Sequence, residues 1–228
     1  MTGGRPALQR EWWFTQLTLF IWGWMLLAPR LQDRWLVQLL LQVVLLNAVL
    51  ITLKANPEWK NLRNLMLGLW GLTLAGSMLA SSPLPPEWEA RARDVATAAI
   101  LPLLAMLAVG IVRFVYRSRR LTIDGIFATM VAYMIVALAF AQVYLLIATW
   151  DPQSFVLPVP AAERTHHLLH VDMVYYSLIT QCSVGYGDIL PRSDTARMIA
   201  TIQAVIGQFY MAVVVAIFVG MYAARGRG

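Results

Sequence analysis

The chain has 228 residues, 59% of them hydrophobic and only 13% charged, with a formal net charge of +6. That balance describes a polytopic membrane protein and excludes a soluble domain built on a large core. The positive charge does not point to nucleic acid, because the basic residues sit in short loops between apolar runs, where they set membrane topology.

In chain order, six apolar runs are each long enough to bridge a bilayer core, which takes about 20 helical residues. They cover 12–28, 35–53, 62–80, 95–116, 123–149 and 196–222. The first is not a secretory signal, since it is rich in Trp, lacks a small-x-small cleavage site and runs almost directly into the second. Gln16, Gln38, Gln42 and Asn47 are the polar residues inside the early runs, and hydrogen bonding between helices is their expected use. The fourth run has no basic residue from Val95 to Ile111 and carries Pro102, so a kink is expected there. Arg113 and the cluster Arg117-Ser118-Arg119-Arg120 follow it, placed to reach headgroups. This cluster divides the chain into a four-helix domain, 1–120, and a second domain, 121–228.

Asp124 opens the fifth run, where a carboxylate meets the positive end of its own helix; a salt bridge to Arg119 or Arg120 is the alternative. A loop bearing Pro152, Pro158 and Pro160 then leads into His166-His167-Leu168-Leu169-His170. If this stretch is helical, His170 shares a face with His166 or His167. An imidazole pKa of about 6.5 suits a proton sensor, and the spacing can hold zinc. A solvated loop is the plainer reading. A seventh apolar stretch, 171–181, is about half the length of the others. At about 1.5 Å of rise per residue it reaches only halfway across a bilayer. It therefore reads as a re-entrant helix, which survives at membrane depth only when buried in protein or lining water. Asp172 stands in its first turn.

Charge supports one topology. With the N-terminus cytoplasmic, the inner loops carry eleven basic residues and three acids, Glu11, Glu58 and Asp124, while the outer side holds seven basic residues and nine acids. Positive charge is then inside.

Between the half-length stretch and the last run lies Thr180-Gln181-Cys182-Ser183-Val184-Gly185-Tyr186-Gly187-Asp188. In an extended strand successive carbonyls point to opposite sides. Aiming them all at one axis needs residues that accept positive φ, which Gly185 and Gly187 do at almost no steric cost. The single cysteine, Cys182, excludes an intrachain disulfide. The stretch resembles the selectivity filter of potassium channels, whose usual form is T-x-x-T-V-G-Y-G-D. The last run, with its G-Q-F-Y-x-A stretch at Gly207 to Ala212, resembles the inner helix of small prokaryotic members. The likeness is strong over 121–228 and covers the first four runs only by arrangement.

The resemblance implies an all-α membrane protein with six transmembrane helices, a re-entrant pore helix (171–181), a filter loop (183–187), an outer helix (123–149) and an inner helix (196–222). It implies potassium held at Ser183, Val184, Gly185 and Tyr186, since rings of backbone carbonyls replace the hydration shell of the ion. Thr180, Tyr175, Tyr176 and Asp188 would support the filter, with Tyr176 reaching Tyr186 and Tyr175 lying near Asp188. Gly207 matches the gating-hinge glycine, although close helix packing explains it equally well. Cys182, Gln208, Met211 and Val215 would line the cavity. Ser183 departs from the usual Thr, Cys182 from a second Thr, and Ile179 from a Glu that some members pair with the filter Asp. Gln181 has no evident partner.

One such loop cannot enclose an ion, so a homotetramer is expected, with potassium as the permeant ion, no cofactor, no catalytic role and membrane lipid as surroundings. Without charges in the fourth run to move through the field, each worth about 2.3 kcal/mol per 100 mV, steep voltage gating is not expected. A weakly selective cation channel, modulated by protons or zinc at His166, His167 and His170, is the alternative.

Overall fold

The computed structural model describes residues 12–27, 34–82, 85–117, 123–159 and 166–225. Seven α-helices make up almost all of it: α1 (Trp13–Leu27), α2 (Arg34–Ala55), α3 (Lys60–Ala80), α4 (Pro86–Arg117), α5 (Ile123–Trp150), α6 (His166–Gln181) and α7 (Asp194–Arg225). Two strands of two residues each, β1 (Phe155–Val156) and β2 (Leu190–Pro191), pair antiparallel.

Among the described residues four helices are long and apolar enough to cross a membrane: α2 over Gln38–Ala55, α4 over Glu87–Arg117, α5 over Ile123–Trp150 and α7 over Asp194–Ile217. The reading of six such runs is wider than this. At 15 residues α1 is a shorter apolar helix, and α3 opens on Lys60, Asn61, Arg63 and Asn64, which dilute its apolar content.

Apolar burial holds the helices together. One cluster draws Phe14, Leu17 and Ile21 of α1, Leu45 and Val49 of α2, Met66 of α3, Leu103, Leu107 and Ile111 of α4, and Val131 and Ile135 of α5. It runs through both of the domains expected from the sequence. A side chain of this size contributes about 1.5–3 kcal/mol when fully buried. Two glycines permit close helix approach. A Cβ at Gly110 would lie 2.4 Å from the Thr52 methyl, and one at Gly76 would lie 2.8 Å from the Ala92 carbonyl oxygen. Gln42 bridges α2 to α3, accepting from Thr73 at 3.2 Å and donating to Ser77 at 3.3 Å. Gln38 accepts from Ser81. Helix α4 runs unbroken through Pro102.

Two charged groups do work that their sequence positions do not announce. Asp124 accepts from the backbone N–H groups of Phe14 at 3.0 Å and Thr15 at 3.1 Å. Those are orphan amides of the first turn of α1, so Asp124 caps a helix 110 residues away as well as standing in the first turn of its own. Its alternative partners Arg119 and Arg120 lie outside the described residues. Replacing Asp124 with Ala is expected to cost about 0.5–2 kcal/mol, the usual loss of a helix cap. Thermal unfolding of the purified protein measures it, and Asp124→Asn, which keeps an acceptor oxygen, is expected to lose less.

Glu58, in the 3-10 turn Pro57–Trp59, pairs with Arg113 at 2.9 Å and with Arg117. These two arginines therefore meet a carboxylate of their own chain, where headgroup contact was expected. The Arg117 hydrogen bond, helped by the charge of Arg113, holds the Glu58 carboxyl below the usual carboxylate range. With its folded pKa depressed, Glu58 adds stability above its ordinary pKa and loses it as pH falls through the folded value. The contribution of so exposed a pair is small.

Around the end of α5, a second cluster gathers Tyr144, Leu145, Phe155, Leu169, Met173, Tyr176, Ile189 and Ala196. It includes Met173 and Tyr176 of α6 and Ile189, and so flanks the Thr180–Asp188 stretch on both sides in the chain.

Candidate functional site

Helix α6 begins at His166, five residues before the apolar stretch that marked it in the sequence. Counting only apolar residues set the expected start at 171, yet His166 to His170 contains no glycine or proline to stop a helix. Asp172 accordingly lies in the second turn and does not cap the first. The backbone at His166, His167 and His170 is helical, so the solvated-loop reading of these three does not hold. The side chains of His166 and His167 lie outside the described residues. His170 Nε2 stands 2.9 Å from Gln142 Nε2 on α5, and the described residues hold no group of three or more metal-ligating side chains.

The helix ends with its last carbonyls all engaged. Leu178 O accepts from Cys182 N at 3.0 Å, Thr180 O from Ser183 N at 3.0 Å, and Ile179 O from Val184 N at 2.9 Å. Gln181 O accepts from the Tyr133 hydroxyl at 2.8 Å. The pair of bonds from Val184 to Ile179 and from Ser183 to Thr180 is the Schellman pattern, whose left-handed residue is here Ser183. Its φ is +55°. Glycine is the usual occupant, and a side chain there costs about 1–2 kcal/mol.

Beyond this cap the left-handed conformation recurs at every second residue: Gly185 has φ +53° and Gly187 has φ +81°. Among the described residues Ser183 is the one non-glycine with positive φ. Left-handed backbone at every second residue is what carbonyls need to face a common side, where an extended strand would point them to opposite sides. Residues 182–188 are all exposed, Tyr186 at 72%, so the loop presents itself outward from the chain.

Both ends of the loop are tied. Asp188 uses both carboxylate oxygens, accepting from the Tyr175 hydroxyl at 2.8 Å and from Ile189 N at 3.1 Å. Tyr176 does not stack on Tyr186 within the chain; its ring packs edge-on against Tyr144 at 5.0 Å and Phe155 at 5.4 Å. Such pairs add about 0.5–1.5 kcal/mol each beyond burial. After the loop, β2 pairs with β1, and Arg192 N bonds Ser154 O at 2.7 Å. Ser193 caps α7 by accepting from Ala196 N at 3.2 Å.

Where the loop begins, Gln208 on α7 donates to the Ser183 hydroxyl at 2.7 Å. Cys182, Gln208, Met211 and Val215 are all exposed on one chain, and the Cys182 sulfur stands 3.7 Å from the Tyr133 hydroxyl. Gly207 is buried, and a Cβ on it would lie 2.3 Å from Gln181 O. Close packing thus gives the glycine a reason of its own.

Gln181, without a partner in the sequence reading, is 1% exposed and has two. Its Nε2 donates to Tyr133 O at 2.7 Å, and its Oε1 accepts from Gln203 Nε2 at 3.2 Å. Gln203, 0% exposed, also has Ser177 Oγ at 2.7 Å and Ser177 O at 3.0 Å from its Nε2, whose two hydrogens are shared among these three acceptors, and its Oε1 accepts from the Tyr144 hydroxyl at 2.6 Å. Tyr133, Tyr144, Ser177 and Gln203 were not singled out by sequence. Each is an isolated polar side chain in an otherwise apolar stretch of helix, and only the packing reveals that they meet.

A family model described as "Ion channel" matches residues 129–224, which include α6, the loop and nearly all of α7. The chain is 31% identical over 101 residues to Protein LctB of Bacillus caldotenax, covering 44% of this chain and 75% of that protein. It is also 31% identical over 102 residues to Protein LctB of Geobacillus stearothermophilus, with the same 44% and 75% covered.

Proposed function

The chain belongs to the ion channel family, and from that premise we propose that it forms a passive, potassium-selective channel that is not steeply voltage-gated. The observation that carries the reading is the repeat of left-handed backbone at Ser183, Gly185 and Gly187. It suits a column of carbonyl oxygens in place of a hydration shell, with potassium at Ser183, Val184, Gly185 and Tyr186. The exposure of residues 182–188 fits a loop completed by other copies. One loop cannot surround an ion, so four chains around an axis are required.

In this reading α6 is a re-entrant pore helix whose C-terminus, with roughly half a negative charge, favours a cation at the loop. Helices α5 and α7 are the outer and inner helices of a pore domain over 121–228, and α1 to α4 are a non-sensing domain over 1–120. Six helices cross a prokaryotic cytoplasmic membrane, with both termini inside. Gln208, Met211, Val215 and Cys182 line the cavity. Gly207 serves as hinge only where bending spares its packing on Gln181. The permeant potassium is the one inorganic partner, and no cofactor or catalysis is involved.

Potassium flux from purified protein in liposomes tests the reading. Barium-sensitive flux is expected, and its absence across pH would remove the channel assignment. The second reading, a weakly selective cation channel responsive to external protons or zinc, draws on the His170 contact with Gln142. Replacing His166, His167 and His170 with Ala and finding external pH and zinc responses intact would retire it.

A further inference from the structure

The polar chain behind the loop has a direction. Tyr144 donates to Gln203, Gln203 donates to Gln181 and Ser177, and Gln181 donates to Tyr133 O. Ser177 gives its own hydroxyl proton to Ala137 O at 2.6 Å, so toward Gln203 it can only accept. Turning the Gln203 amide over would set its oxygen against three acceptors: Ser177 O, Ser177 Oγ and Gln181 Oε1. The amide is therefore held in one orientation, and it ties α5, α6 and α7 together at the last turn of α6.

That turn is where the loop begins. Gln181 precedes Cys182 and Ser183, its carbonyl oxygen faces the Gly207 backbone, and its side chain ends on Gln203. A displacement of α7 against α6 is thus delivered to the first residues of the loop. Apolar side chains of equal volume would hold three helices together at least as well, because a buried polar network gives little net stability. What it supplies is a fixed register.

We propose that Gln203 is a positioning residue for ion selection, holding the inner end of the loop at the radius that potassium requires; this rests on the function proposed above. It touches no ion. It acts through Gln181 and Ser177, and a binding constellation has to be held within about 0.5 Å of its productive geometry.

The test separates position from stability. The triple variant Tyr144→Phe, Gln181→Leu, Gln203→Leu removes donors and acceptors together, so thermal unfolding and size-exclusion elution are expected to stay near wild type. The potassium-to-sodium permeability ratio in liposomes is expected to fall about tenfold or more, equivalent to about 1.4 kcal/mol. An assembled triple variant with the wild-type ratio overturns the proposal. Should the triple variant not assemble, Gln203→Met decides: a reduced ratio in the assembled protein supports the proposal, and an unchanged one overturns it. The wild-type control keeps the two claims apart. A wild type without potassium preference overturns the functional reading and this proposal together, whereas a selective wild type with unaffected variants overturns this proposal alone.

Discussion

Replacing Gly207 with Ala is expected to destabilise the assembled protein more than any other single methyl addition to α7. The new Cβ would lie 2.3 Å from Gln181 O and 3.0 Å from Gln181 Cγ, well inside contact distance. Gln181 cannot yield easily, because its carbonyl is held by Tyr133 and its amide by Tyr133 O and Gln203. Overpacking of this kind costs about 1–3 kcal/mol, and the tetramer proposed above would repeat it in every chain. Thermal unfolding and size-exclusion elution should show a lower transition and partial loss of assembly. A hinge role alone predicts the reverse: a stable, assembled Gly207→Ala protein with altered opening. A variant with wild-type unfolding would show that the packing is more compliant than its distances indicate.

Gly185→Ala acts by a different route. Among the described residues of the chain, no atom beyond its neighbours in sequence lies within 4 Å of the added Cβ, so within one chain the penalty is that of backbone conformation. At φ +53° a side chain costs about 1–2 kcal/mol per chain. The loop can escape this strain by abandoning the left-handed conformation, which turns the neighbouring carbonyl away. The protein is expected to fold and assemble while potassium preference collapses, by about tenfold or more, since about 1.4 kcal/mol already corresponds to tenfold. Parallel measurement of elution and of reversal potential separates the two effects. Unchanged preference would mean that the alternation at 183, 185 and 187 does not set selection.

These two glycines show how legibility divides. Gly185 and Gly187 could be read from sequence because tolerance of φ > 0 belongs to glycine itself, and two of them alternate here. Ser183 takes the same conformation, and nothing in its chemistry says so. Its φ follows from the end of α6, where the Schellman bonds require a left-handed residue whatever its identity. The α5 and α7 limits were close to legible, as Ile123–Trp150 and Asp194–Arg225 extend the apolar runs 123–149 and 196–222 by no more than three residues at either end. The start of α6 was not, because hydrophobicity marks where a helix is buried and says little about where the backbone stops coiling. Asp124 was read correctly as a helix-start carboxylate, yet the second helix it serves, α1, lies far away in the chain. Gln203 illustrates the general limit. A polar residue within an apolar helix looks the same in sequence whether it faces lipid or a neighbouring amide, and its role depends on three helices meeting.

The potential at which current through the purified wild-type protein reverses, with potassium on one side of the bilayer and sodium on the other, tests the central claim most directly. Selection by the loop predicts a reversal potential that follows the potassium equilibrium potential as potassium is varied and stays indifferent to sodium. A reversal near zero that follows both cations equally would contradict it, and would make the chain a weakly selective cation channel despite the backbone of its loop.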